Sequence, residues 1–88
     1  MAQHSVTIED FFFDPEDLMI SVGDTVVWMN HGSVSHTASR DDAPAFDTGK
    51  ISPATSSTPI LFGAESAGPL KYFCRPHKAM MQGTITVT

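Results

Sequence analysis

Apolar and polar residues alternate with a period of two over much of the chain, and no segment keeps a helical period for more than two turns. Such alternation is typical of β-strands that bury one face. It predicts strands around residues 6–8, 18–22, 25–30, 70–74 and 83–88. The pattern therefore predicts a chain that is nearly all β.

Turn-forming residues separate these strands. Asp14-Pro15-Glu16-Asp17 predicts a turn, and Gly23-Asp24 predicts a tight hairpin that joins the strands at residues 18–22 and 25–30. A short strand is also predicted over residues 34–39, whereas residues 40–58 are expected to be mostly loop. Seven to eight short, mainly antiparallel strands favour a β-sandwich. The length of 88 residues predicts a single domain, 1–88.

Charge and composition exclude several classes of protein. The formal net charge of −5 argues against a nucleic-acid partner, because phosphate binding needs a concentrated basic face. No apolar stretch approaches the roughly 20 residues that span a bilayer, so no transmembrane segment is predicted. The first residues lack the basic and apolar regions of a signal peptide, and we expect a mature form or an excised domain. The lone cysteine, Cys74, excludes an intramolecular disulfide and needs another role.

One loop concentrates metal-binding side chains between a predicted strand end and the next strand start. Cys74, His77 and the pair Met80-Met81 place a thiol, an imidazole and two thioethers close together in the sequence. Thiolate and thioether suit Cu(I), and imidazole suits both oxidation states of copper. A cysteine, two histidines and a weak axial methionine would therefore form a redox-active copper site.

The second imidazole has to come from another segment, and His36 is the predicted ligand. It follows the strand of Trp28 by a few residues, and a β-sandwich would hold its segment against the cysteine loop. His31 competes for this role, but it lies beside Asn30 and Gly32, where a turn is expected to point it to solvent.

Two other interpretations of Cys74 remain open at this stage. A lone cysteine is often a buried structural thiol. It can also be a catalytic nucleophile with a histidine base. Neither interpretation gives the two neighbouring methionines a role, so the copper site is preferred.

These segments resemble the type 1, or blue, copper proteins, the cupredoxin family of plastocyanin, amicyanin and pseudoazurin. The likeness covers essentially the whole chain. It is carried by residues 26–30 with His36-Thr37, by residues 46–49, by residues 72–77, and by residues 81–85. The resemblance implies an eight-stranded Greek-key sandwich, one copper ion and outer-sphere electron transfer. It also implies an extracytoplasmic location, in a bacterial or archaeal periplasm or at the cell surface.

The axial ligand depends on which family spacing applies. The amicyanin-like pattern Cys-x2-His-x2-Met selects Met80, whereas the plastocyanin pattern Cys-x2-His-x4-Met falls on Gln82. In the family the axial methionine is commonly followed by one residue, then glycine, then the last strand, and Met81-Gln82-Gly83 fits that register. We predict the ligand set His36, Cys74, His77 and Met81, with Met80 as the rival axial ligand.

His77 is predicted to lie nearest the surface and to be the point where electrons enter and leave. The docking surface predicted around it consists of Pro76, Ala79, Met80, Arg75 and Lys78. Its cations would steer a transient redox protein with an acidic docking face. We expect a monomeric electron carrier without substrate turnover of its own. The alternatives are a copper storage or delivery protein, and a copper relay domain excised from a larger redox enzyme.

Overall fold

Two β-sheets face each other in the computed structural model, which describes residues 2–79 and 81–88. Within these residues the strands are β1 (Gln3–Glu9), β2 (Phe12–Asp14), β3 (Asp17–Ile20), β4 (Thr25–Asn30), β5 (Ser39–Arg40), β6 (Phe46–Asp47), β7 (Ile60–Leu61), β8 (Gly68–Phe73) and β9 (Gln82–Val87). The first sheet has the strand order β2-β1-β4-β7, and the second has the order β3-β9-β8-β5-β6. The predicted β-sandwich is confirmed.

Aromatic side chains fill the space between the sheets. Trp28 of the first sheet is fully buried, and its ring lies 5.6 Å from the ring of Tyr72 in the second sheet. Trp28 also stacks on Phe46 at 5.7 Å, and Tyr72 packs edge-on against Phe13 at 4.7 Å. Large aromatic rings remove the most apolar surface from water per residue. This cluster therefore holds the two sheets together in one core.

The predicted hairpin at Gly23-Asp24 is wrong. The turn exists, and Gly23 has a φ of 94°, a left-handed conformation that favours glycine. However, β3 pairs in parallel with β9, whereas β4 pairs in parallel with β1 and antiparallel with β7. The turn thus carries the chain from one sheet to the other. Turn residues determine only the local bend, whereas the burial of hydrophobic faces determines which strands pair.

Other sequence predictions differ from the structure in extent. The strand predicted over residues 34–39 is limited to Ser39–Arg40, although His36 makes an isolated antiparallel bridge to Ile51. Residues 40–58 are mostly loop, as predicted, with β6 as the strand inside them. No helix in the described parts of the chain has the length and apolar character needed to cross a membrane.

Asp24 fastens the crossing turn to the start of β1. Its carboxylate accepts hydrogen bonds from the Ala2 amide at 2.8 Å, the Ser21 amide at 3.0 Å and His4 Nε2 at 2.9 Å. The two amides, and then His4, hold the pKa of Asp24 well below its ordinary value of 3.8. A carboxyl with a depressed folded-state pKa adds stability above its unfolded pKa, and that stability is lost as the pH falls through the folded pKa.

We predict that Asp24→Asn lowers the free energy of unfolding at pH 7, because the amide cannot replace the charge-assisted bonds. The difference from the parent chain should shrink between pH 5 and pH 2, because the unfolded carboxyl (reference pKa about 3.9) takes up its proton over this range while the folded carboxyl stays ionised. Urea unfolding of the metal-free parent and variant at pH 5 and at pH 2 measures this difference. Asp42→Asn, which removes an exposed loop carboxyl, is the matched control. A difference that stays constant between the two pH values would contradict the assignment.

Candidate metal centre

Cys74 lies directly after β8 and is fully buried. A short 3-10 helix, Arg75–His77, follows it, with Pro76 in its first turn. The His77 amide donates to the Cys74 carbonyl at 3.0 Å, and the Met81 amide donates to the His77 carbonyl at 2.9 Å. The Cys74 amide donates to the Met81 carbonyl at 3.0 Å, which closes the loop. These bonds bring Cys74 and His77 to the same side of one compact turn.

His36 is held from a different part of the chain and is also fully buried. Its amide and carbonyl exchange hydrogen bonds with Ile51 at 3.2 and 2.8 Å. The side chain of Asn30 ties the preceding loop down by donating to the carbonyls of Val34 and Ile51, both at 2.8 Å, and by accepting from the Gly32 amide. The backbone around His36 is therefore fixed from three directions.

The thiol and the two imidazoles converge on one point. Cys74 Sγ lies 3.6 Å from His36 Nδ1 and 3.5 Å from His77 Nδ1, and the ligand atoms of all three residues lie within 4.8 Å of one another. Metal–sulfur and metal–nitrogen bonds of about 2.3 and 2.0 Å at a trigonal angle separate such donors by about 3.7 Å. The spacing fits a single metal ion held by one sulfur and two nitrogens, a donor set typical of blue-copper sites.

Two hydrogen bonds of Thr37 join the halves of this centre. The Thr37 amide donates to Cys74 Sγ at 3.4 Å, and its hydroxyl accepts from the Arg75 amide at 2.8 Å. An amide that points at the sulfur stabilises negative charge on it, as a metal-bound thiolate requires.

Asp10, which the sequence pattern did not single out, contacts His36 on the side away from the thiol. His36 Nε2 donates to Asp10 Oδ1 at 2.8 Å. An ionised carboxylate only accepts hydrogen bonds, so the neutral imidazole carries its proton on Nε2 and turns the lone pair of Nδ1 toward Cys74. Hydrogen bonds from the Ser33 hydroxyl, from His36 and from the Ser33 amide hold the pKa of Asp10 well below its ordinary value.

Phe11 is a second neighbour of the site that the sequence pattern did not single out. Asp10 and Phe11 form the two-residue turn between β1 and β2, where Glu9 pairs with Phe12. The Phe11 ring lies edge-on to His77 at 4.9 Å and to His36 at 6.0 Å. Its side chain is 42% exposed, so it borders the half-buried His77 at the surface. The apolar run at residues 11–13 did not indicate that its first residue, Phe11, belongs to a turn.

The other candidate ligands occupy different positions. Met81 is fully buried in the core beside Cys74, whereas Met80 lies outside the described residues. His31 is not in the cluster; its ring faces Glu9 at 3.9 Å, with the side chain 51% exposed. The Gln82 side chain is exposed and donates to the Lys78 carbonyl.

The predicted docking residues other than Met80, which lies outside the described residues, are on the exposed side of the loop. Pro76, Ala79 and Lys78 are exposed, and the Lys78 ammonium lies 4.6 Å from the ring of Phe73. Arg75 forms ion pairs with Asp41 at 2.9 Å and Asp47 at 3.1 Å. These two carboxylates, which are distant from Arg75 in the sequence, partly compensate its positive charge.

Comparison with known proteins agrees with this geometry. The family of copper-binding proteins described as plastocyanin/azurin matches residues 2–88. Plastocyanin from Scenedesmus fuscus is 35% identical over 86 residues, and the match covers 85% of this chain and 85% of that protein. Plastocyanin from Prochlorothrix hollandica is 34% identical over 84 residues, a match that covers 85% of this chain and 62% of that protein.

Solved structures share the fold. A purple cupredoxin from Nitrosopumilus maritimus superposes with a TM-score of 0.81 at 26% identity, covering 96% of this chain and 98% of that one. An oxidized mutant of amicyanin gives a TM-score of 0.84 at 24% identity, covering 96% and 80%. The two-sheet sandwich with a Cys–His–His cluster at one end is thus a cupredoxin. The chain belongs to the plastocyanin/azurin family of copper-binding proteins, and its cofactor is one copper ion. The sequence resemblance to type 1 copper proteins is confirmed.

Proposed function

We propose that this chain is a mononuclear type 1 copper protein that carries single electrons. The observation that supports it most strongly is the convergence of His36 Nδ1, Cys74 Sγ and His77 Nδ1 on one point. These three atoms would hold the ion, and the Met81 thioether would complete the ligand set. Full burial of Met81 and its backbone contact with Cys74 support the choice of Met81.

The bound ion supplies one-electron cycling between Cu(I) and Cu(II), for which this mixed donor set suits both states. The residues of the chain hold the donors still during that cycle. His36 and Cys74 are fully buried and fixed by backbone hydrogen bonds, so little rearrangement accompanies a change of oxidation state.

The His77 edge is the route for electrons. His77 is the half-buried ligand, whereas Cys74 and His36 are covered by protein. Phe11 and the exposed Pro76 and Ala79 border it with apolar surface, which favours brief contact with a partner. This exposure difference is the reason to assign the exit to His77.

A transient redox protein with an acidic docking face is the proposed partner. Lys78 is the cation best placed to steer it, and Arg75 adds less because Asp41 and Asp47 compensate its charge. The chain acts as a single monomeric copper-binding domain, residues 1–88, and has no substrate turnover of its own. Its location is extracytoplasmic, in a periplasm or at the cell surface, by analogy with its family.

We predict that Cys74→Ser abolishes nearly all of the strong visible absorption of the copper-loaded protein. That absorption arises from thiolate-to-copper charge transfer, and a hydroxyl cannot supply it. Absorption spectra after stoichiometric copper addition measure the loss, and circular dichroism checks that the variant keeps its β-fold. An unchanged visible spectrum in the folded variant would rule out the proposed site.

Met81→Leu should shift the reduction potential, because the axial ligand tunes the relative stability of Cu(I) and Cu(II). A tenfold change in that relative affinity corresponds to about 59 mV. Met80→Leu should leave the potential nearly unchanged, and Met19→Leu, which alters an exposed methionine of β3, is the control. Voltammetry of the three variants measures this. A large shift in Met80→Leu alone would assign the axial position to Met80.

Lys78→Glu should slow oxidation of the reduced protein by ferricyanide, a polyanion that stands for an acidic partner, and should shift the salt dependence so that the rate falls less, or rises more, with added salt. The reason is that steering by exposed charges is screened as ionic strength rises. Asp42→Asn, on the same concave surface as Lys78, should act in the opposite direction. Stopped-flow rates at several salt concentrations measure both. Equal salt slopes in all proteins would refute steering by this face.

A further inference from the structure

Asp10 makes three hydrogen bonds that converge on one carboxylate next to the metal centre. Its Oδ1 accepts from His36 Nε2 at 2.8 Å. Its Oδ2 accepts from the Ser33 amide at 2.8 Å and from the Ser33 hydroxyl at 2.6 Å. Two oxygens of one side chain thus fix both the loop before His36 and the ring of His36 itself.

We propose that Asp10 is a positioning residue of the copper site: it fixes the tautomer and orientation of His36 and lowers the reduction potential of the bound copper. The proposal rests on the electron-transfer function proposed above. It adds a residue from the β1–β2 turn, whose sequence neighbours supply no metal ligand in the described structure.

Asp10 determines which ring nitrogen of His36 is available to a metal ion. A histidine ligand can present either ring nitrogen to a metal, and the nitrogen that carries the proton cannot bind. Because Asp10 accepts a hydrogen bond from Nε2–H, the proton stays on Nε2, and Nδ1 is left unprotonated, 3.6 Å from Cys74 Sγ. The ring is fully buried, so no solvent contact competes with this bond.

Gly32 leaves room for the contact between Asp10 and His36. A Cβ at Gly32 would overlap Asp10 Oδ1 and would lie 3.0 Å from His36 Nε2. Glycine at this position therefore lets the carboxylate reach the imidazole. The Gly32 amide donates to Asn30 Oδ1 at 2.8 Å, so a hydrogen bond holds the loop in the position that leaves this space open.

The negative charge of Asp10 acts on the oxidation state of the bound ion. The oxidised ion carries one more positive charge than the reduced ion, and a nearby carboxylate favours the more positive state. The Asp10 side chain is 25% exposed, which leaves it partly screened by solvent, whereas the His36 side chain between it and the thiol is fully buried. Loss of a carboxylate partner from a ligating histidine typically weakens metal binding 10- to 100-fold.

Asp10→Asn tests the proposal, with Asp14→Asn as the matched control. Asp14 lies on β2 of the same hairpin, and its substitution removes the same charge without touching His36. In the copper-loaded protein we expect the ratio of Cu(II) to Cu(I) affinity to fall about tenfold in Asp10→Asn, which raises the potential by about 59 mV. The control should keep the parent potential.

A second readout uses the copper-free protein. Nitrogen-15 NMR of the imidazoles should show His36 protonated on Nε2 in the parent and in Asp14→Asn, and a mixture of tautomers in Asp10→Ala. A merely structural Asp10 would leave the tautomer and the potential unchanged in folded variants, and that result overturns the proposal.

If Asp10→Asn does not fold, Gly32→Ala replaces it, because it keeps the charge but fills the space between carboxylate and ring. It should raise the potential and release the His36 tautomer, and parent values of both would overturn the proposal. A parent protein without thiolate-to-copper absorption or a reversible one-electron couple would instead count against the proposed function, while the tautomer measurement would still test Asp10.

Discussion

The hydrogen bonds of Thr37 connect the two chain segments from which the metal centre is built. Thr37 follows His36 directly, and its amide and hydroxyl reach Cys74 and Arg75, 37 and 38 residues away in sequence. This contact extends the antiparallel pairing of β5 with β8, in which Ser39 faces Phe73. Once that register is set, the two residues before Ser39 meet the two residues after Phe73. The position of the sulfur relative to His36 follows from one strand pair.

The metal site and the hydrophobic core are parts of one packed unit. Cys74 and Met81 belong to the same buried cluster as Trp28 and Tyr72. Tyr72 lies two residues before Cys74 on β8, so the aromatic contacts between the sheets also fix the end of the strand that carries the sulfur. The exposed side of the site is different in character, because Phe11 and a short 3-10 turn, rather than sheet, border His77.

Local sequence was sufficient for some parts of this arrangement and insufficient for others. Cys74 and His77 could be paired from their spacing, since one turn of chain brings them together. His36 required the assumption of a sandwich, because its partner lies across a long loop. The role of Asp10 could not be predicted, since it depends on a turn within a run that reads as continuous strand and on the absence of a side chain at Gly32.

The strand partners were the other limit of the sequence. Alternation located β4, β8 and β9 well, because burial of one face leaves a period of two. It could not reveal that β3 lies beside β9 and β4 beside β1. Parallel strands from distant segments are not joined by a short turn, so no turn residues indicate that they pair. The ion pairs of Arg75 were hidden for the same reason, since Asp41 and Asp47 are 34 and 28 residues away.

The backbone hydrogen bonds that fix His36, Cys74 and His77 have a thermodynamic consequence for metal binding. The donors are already ordered in the folded chain, so the conformational entropy of arranging them is lost during folding and not when the ion binds. The affinity for copper is then coupled to the stability of the whole sandwich. A substitution that loosens Trp28 in the core would weaken binding at a site it does not touch, because the unfolded fraction of the chain holds its donors apart.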